Sequence, residues 1–168
     1  VEWHASSLAL NEVKLSAEVL LSDWEALIAE LGGKVSGHAA SAVTVTLLPV
    51  LEEVPLNQKE AYRLRVDERG IHVEAVTETA VYRAIQTLRQ LAQATKKGVR
   101  IPCCEIVDWP AFRIRGWMQD VGRSYISMEE LKREIAVLSK FKINTFHWHL
   151  TENQAWRLES KVFPALND

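Results

Sequence analysis

The spacing of apolar residues along the chain switches between helical and strand periods. In "SDWEALIAELGG", Trp24, Leu27, Ile28 and Leu31 recur at helical spacing, Ser22 and Glu25 stand at capping-box distance, and Gly32 and Gly33 follow. An amphipathic helix starting at Ser22 is predicted. "SAVTVTLLPV" is β-branched and closed by Pro49, the pattern of a strand, and "AYRLRV" and "IHVEAV" alternate apolar and polar around "DERG", the pattern of a hairpin. In "TETAVYRAIQTLRQLAQATKKG" the stripe Val81, Ile85, Leu88 and Leu91 predicts a second helix. Lys96 and Lys97 would sit at its dipole's negative end, with Gly98 as the stop. "VRIPCCEIVDWP" reads as one further strand, stopped by Pro110.

This order predicts an α+β domain over residues 1–110: a small antiparallel or mixed sheet with two helices on one face. From residue 111 to 168 the pattern changes. "FRIRGWMQDV" reads as a short buried strand and "NTFHWHL" as another. Between them "SMEELKREIAVLSKF" carries a capping box, Ser127 and Glu130, and an apolar stripe of Met128, Leu131, Ile135 and Leu138. This is a βαβ unit, with parallel strands and a right-handed crossover expected. Parallel strands normally have both faces covered, which one unit cannot do for itself, so the segment reads as the opening of a larger α/β domain. The faces around Trp117, Phe146 and Trp148 should then be covered by another chain, be disordered or leave an apolar patch.

Composition narrows the function classes. The 168 residues are 48% hydrophobic and 25% charged with a net charge of -2, so there is no basic face for nucleic acid. No apolar run approaches the ~18 residues of a spanning helix. The opening "VEWHASSLAL" has no basic region ahead of an apolar stretch, so no signal peptide is read there, and a processed mature chain would look the same. Cys103 and Cys104 are adjacent on a predicted strand and point to opposite faces, which predicts two buried thiols rather than a bridge.

The candidate chemistry gathers at two strand ends. On "NTFHWHL" the period of two puts His147 and His149 on one side and Phe146, Trp148 and Leu150 on the other. Such a His pair could hold a metal, but the remaining histidines, His4, His38 and His72, all lie in the first domain, and core histidines are the alternative. Glu152 lies just past the strand's C-terminal end, where parallel α/β architectures bind ligands; spacing alone leaves it equally a solvated loop carboxylate. "QDVGRSY" brings Asp120 and Arg123 to the same rim. An arginine there offers a planar fork of donors for vicinal hydroxyls, against the competing reading of a surface ion pair. The nearby aromatics Trp117, Tyr125, Trp148 and Trp156 suit the apolar patches of a sugar ring, or a core.

"DWPAFRIRGWMQDVGRSY" followed by "KINTFHWHLTENQAWRLESKVFPAL" resembles the start of the catalytic barrel in family 20 glycoside hydrolases, the β-N-acetylhexosaminidases. "EAYRLRVDERGIHVEAVTETAVYRAIQTLRQL" is similar to the small domain that precedes that barrel. The resemblance implies a truncated (β/α)8 barrel over 111–168. It implies that Arg123 binds hydroxyls of a terminal N-acetylhexosamine and that Glu152 is the first member of an acidic pair at the barrel mouth, with Asp120 and His149 in support. Two departures are present: Asn153 stands in place of the second acid and Ser124 where a histidine often follows the arginine.

The implied reaction is hydrolysis with retention, in which the substrate's own acetamido oxygen attacks the anomeric carbon. No metal or cofactor is implied, and the partner is an N-acetylhexosamine-terminated glycan. The Asp-Glu pair that would supply the acid has no counterpart: the only adjacent Asp-Glu, Asp67-Glu68, lies in the hairpin turn. These residues alone are therefore expected to be inactive, to belong to a secreted or periplasmic enzyme, and to self-associate through the incomplete barrel. Two readings from other classes stay open: a metal-dependent barrel hydrolase using His147 and His149, and a non-catalytic module that binds sugar or protein.

Overall fold

The computed structural model describes residues 2–4, 8–10, 18–30, 41–95 and 98–166. Two compact units divide the chain, Val1–Arg113 and Ile114–Asp168. In the first, the elements are β1 (Glu2–His4), β2 (Leu8–Leu10), α1 (Glu18–Glu30), β3 (Ser41–Leu47), β4 (Tyr62–Asp67), β5 (Gly70–Ala75), α2 (Glu78–Leu91), β6 (Gln93–Thr95), β7 (Gly98–Pro102) and β8 (Cys104–Asp108).

The hairpin forms where alternation and turn chemistry predict it. β4 and β5 pair antiparallel from Tyr62 with Ala75 to Asp67 with Gly70. The Asp67 carboxylate accepts from Arg69 N at 2.8 Å, and Gly70 takes a φ of 145°, open to glycine alone at little cost. Asp67-Glu68 is thereby turn chemistry. Around this hairpin a mixed five-stranded sheet is ordered β2-β3-β5-β4-β8. Its inward residues Val43, Val45, Leu64, Val66, Ile71 and Val73 form one buried cluster with Leu27 of α1 and Val81, Ala84, Ile85 and Leu88 of α2. On the opposite face, Thr44, Thr46, Arg63, Arg65, His72 and Glu74 line an open polar surface. Arg63 pairs there with Glu53 and Glu74.

Four local expectations need correction. α1 begins at Glu18, so Ser22 lies inside the helix and is no cap. Leu31, Gly32 and Gly33, and the side chains of Trp24 and Ile28, lie outside the described residues. α2 is capped by Thr77, whose hydroxyl accepts from Ala80 N at 3.3 Å, but it ends at Leu91. Gln93–Thr95 instead pairs antiparallel with Gly98–Pro102, and that ladder outcompetes further helix. Lys96 and Lys97 lie outside the described residues. The run "VRIPCCEIVDWP" is two strands in two sheets: Pro102 has no N–H to continue a ladder, β7 joins β1 and β6, and β8 pairs with β4. Cys103 is the connecting residue, and both cysteines are free and half-buried instead of buried.

The second unit contains β9 (Gly116–Asp120), α3 (Met128–Lys140) and β10 (Thr145–His149). β9 and β10 are parallel, with Gly116 opposite Thr145 and Asp120 opposite His149. The Ser127–Glu130 capping box is present in both directions. Leu131 of α3 is buried, whereas Met128 and Ile135 are exposed, and β9 is mostly exposed where a buried strand was expected. Phe146 shares a hollow with Ile135 and Leu138 of α3, and Trp148 shares another with Met128 and Leu131. Phe146 and Trp148 therefore face the crossover helix, and period two turns Asp120, His147 and His149 to the other side. Trp117 (45% exposed), Met118 (55%) and Trp148 (39%) leave apolar surface on this unit. No helix among the described residues is long and apolar enough to cross a membrane.

Candidate functional site

Because β9 and β10 are parallel, their C-terminal ends share one rim. Val121 N donates to His149 O at 3.0 Å and closes the pair, after which each chain turns away. The first turn is held by Asp120, whose Oδ1 accepts from Gly122 N at 2.9 Å and Arg123 N at 3.1 Å. The second is a tight return: Arg157 N donates to Leu150 O at 3.0 Å, Thr151 bridges Trp156, and Glu152 N donates to Ala155 O at 2.9 Å. Glu152 is thus fixed at the innermost pair of this return.

Arg123 joins the two turns. Its Nε lies 3.2 Å from Asp120 Oδ2, and its Nη2 donates to Glu152 Oε1 at 2.6 Å. His149 stands between the carboxylates, Nδ1 3.6 Å from Asp120 Oδ2 and Nε2 3.8 Å from Glu152 Oε1, beyond direct hydrogen bonding. All four residues expected at the site therefore meet at one place. His147 does not join them: its ring centroid is 6.2 Å from that of His149.

The charges are set by these contacts. Asp120 is held below the usual carboxylate range, first by the Arg123 backbone N–H, with the Gly122 N–H and the guanidinium adding to it against a smaller opposing effect of burial. Glu152 is lowered first by its hydrogen bond from Arg123, and Arg123 is raised by the same bond. Carboxylates with depressed values contribute stability that is fully present above the ordinary carboxyl range and is lost as pH falls through the depressed values. The Arg123–Glu152 pair should accordingly survive mild acid. A carbon-13 titration of the Glu152 carboxyl should show a midpoint lower than in an Arg123→Ala variant; equal midpoints would contradict this.

Asp120, His149 and Glu152 also form a set of three ligating groups, with atoms all within 4.8 Å of one another; it is the one such set among the described residues, and it excludes His147. The donor set does not suit a resident metal. The Arg123 guanidinium already occupies an oxygen of each carboxylate, and a dication would have to displace it against like-charge repulsion. A fork of donors oriented by two acids suits neutral polyhydroxy ligands better.

The aromatics do not gather at the fork. Trp148 and Tyr125 line a hollow of about 200 Å³ together with Leu131 of α3, and Trp156 is part-exposed on the return. Two contributors escaped the sequence reading. A Cβ on Gly122 would stand 3.2 Å from Glu152 Cβ and 3.3 Å from Asp120 Oδ1, so any side chain here would press both acids aside by a few tenths of an ångström. The Asp-x-Gly spacing was a usable signal for it. Arg157, whose Nε donates to Val121 O at 2.9 Å, had none, because its partner is a backbone carbonyl 36 positions away.

The family relationship follows from comparison with known proteins. The model for the glycosyl hydrolase family 20 catalytic domain matches residues 112–168, and that for domain 2 of the same family matches residues 5–109. The chain belongs to glycosyl hydrolase family 20. It is 36% identical over 170 residues to a beta-hexosaminidase of Porphyromonas gingivalis, covering 97% of this chain and 20% of that protein. It is 40% identical over 119 residues to a beta-hexosaminidase of Vibrio furnissii, covering 71% of this chain and 20% of that protein. A GH20 exo β-N-acetylglucosaminidase from Vibrio harveyi, solved with N-acetylglucosamine, superposes with a TM-score of 0.74 at 33% identity, over 98% of this chain and 25% of that one. The chain thus spans about a fifth of the length of the first two relatives.

Proposed function

We propose that residues 1–110 are the N-terminal domain, and residues 111–168 the first β-α-β segment of the catalytic (β/α)8 barrel, of a β-N-acetylhexosaminidase. In this reading Arg123 and Glu152 bind the terminal N-acetylhexosamine, while Asp120 and His149 support them. The observation that carries it is the Arg123 guanidinium held between two carboxylates at the C-terminal rim of a parallel strand pair.

The guanidinium has five N–H donors, of which one on Nη2 donates to Glu152 while Nε lies 3.2 Å from Asp120, so others stay available to ligand hydroxyls. The carboxylates fix the plane of the fork before the sugar arrives, so its orientation costs little entropy on binding. Glu152 Oε2 can accept from a sugar hydroxyl while Oε1 stays on Arg123. The pair thereby grips the non-reacting side of the ring and aligns the anomeric carbon with acid machinery from elsewhere in the barrel. The hydrolysis itself is retaining, with the substrate's acetamido oxygen as nucleophile.

The complete gene product should hydrolyse an aryl N-acetyl-β-glucosaminide, and residues 1–168 alone should not. A complete product without turnover would sink the assignment. Turnover by residues 1–168 would sink the division of labour.

A further inference from the structure

Arg157 belongs to the "QAWRL" stretch, and neither the ion pair nor the sugar contacts use it. Its backbone N–H closes the return that carries Glu152, and its side chain crosses to the other turn, where Nε donates to Val121 O at 2.9 Å. Val121 is buried, and its own N–H is bonded to His149 O, so the residue leading into Gly122 and Arg123 is held at both its N–H and its C=O. The Arg157 guanidinium also lies 5.7 Å above the Tyr125 ring, on the far side of Arg123 in sequence. One side chain therefore grips the Arg123 turn before and after Arg123 while its backbone anchors Glu152. The two turns approach closely at Gly122.

We propose that Arg157 is a positioning residue: its bond to Val121 O sets the spacing between the Arg123 and Glu152 turns, and through that spacing the affinity for the sugar. This rests on the reading of Arg123 and Glu152 as sugar-binding residues.

A matched pair of variants isolates the bond. In glutamine the amide nitrogen stands as many bonds from the backbone as Nε of arginine, so Arg157→Gln keeps the donor. Arg157→Met has a similar length and no donor. In the complete gene product acting on an aryl N-acetyl-β-glucosaminide, Arg157→Met should raise KM about tenfold with kcat nearly unchanged, and Arg157→Gln should stay within about threefold of the parent. Added to Arg123→Ala, Arg157→Met should do nothing further, because it acts through that residue.

A role confined to stability would lower the melting temperature and leave KM alone. That result overturns the proposal, as does an equal effect of Gln and Met, or effects that multiply with Arg123→Ala. Should Arg157→Met fail to fold, a tenfold rise in KM for Arg157→Gln still overturns it and a near-parental KM supports it. If Arg123→Ala leaves KM unchanged, the sugar reading fails instead. The spacing role then stands or falls on the Glu152 carboxyl midpoint, which Arg157→Met should raise and Arg157→Gln should not.

Discussion

Replacing Arg123 with alanine in the complete gene product is expected to raise KM for an aryl N-acetyl-β-glucosaminide by about a hundredfold. Hydrogen bonds from a charged donor contribute about 1.5–3 kcal/mol each, which is roughly 10–150-fold in affinity for a single lost bond. The guanidinium has a second role that alanine also removes. Glu152 is lowered first by its hydrogen bond from the guanidinium, whereas Asp120 is lowered first by the Arg123 backbone N–H, which alanine keeps; without the guanidinium the two carboxylates stand on either side of His149 with no cation between them. The proton affinity of Glu152 should therefore rise in the variant more than that of Asp120. Arg123→Lys keeps the charge and loses the fork, and should fall between parent and alanine. Stability should change little, since the Arg123 side chain is 65% exposed and solvent screens the pair. Steady-state kinetics and a thermal melt on the same preparations separate the two effects.

The largest expected loss of stability lies in the first unit, at Arg83. Its Nε donates to Glu60 Oε2 at 2.8 Å, with side chains only 8% and 15% exposed. Removing Arg83 takes a charge-assisted hydrogen bond from the half-buried Glu60, which costs about 1.5–3 kcal/mol. For a unit of this size, Arg83→Ala should lower the unfolding midpoint of residues 1–168 by about 5–15 °C. The double replacement Arg83→Met with Glu60→Leu should recover most of that, because both desolvated charges are then gone. Equal melting of Arg83→Ala and the parent would show that water reaches the pair.

What could be read from the sequence was local. The Tyr62–Asp67 and Gly70–Ala75 hairpin was legible because alternation and the Asp67-to-Gly70 turn agree. α3 was legible because Ser127 and Glu130 cap it with their own side chains. The end of α2 was not, since nothing within Gln93–Thr95 reveals a pairing with Gly98–Pro102. Alternation separated the faces of β10, but which face α3 would cover depends on the path of the crossover, which the residues of β10 alone do not reveal. The site followed a similar rule. Asp120, Arg123 and Glu152 could be brought to one rim from the logic of parallel strand ends, because they act through side chains of recognisable chemistry, and His149 joined them only through the family resemblance. The Asp-x-Gly spacing signalled Gly122, whereas Arg157 acts on a backbone carbonyl far away in sequence, which residue type does not announce.

The central claim is that the rim formed by Arg123 and Glu152 holds the terminal N-acetylhexosamine. A crystal structure of the complete gene product with N-acetylglucosamine bound tests it most directly. The prediction is ring hydroxyls within about 3 Å of the Arg123 guanidinium and the Glu152 carboxylate, with the Arg123–Glu152 bond intact. A sugar bound in the barrel with both side chains left to solvent would contradict it.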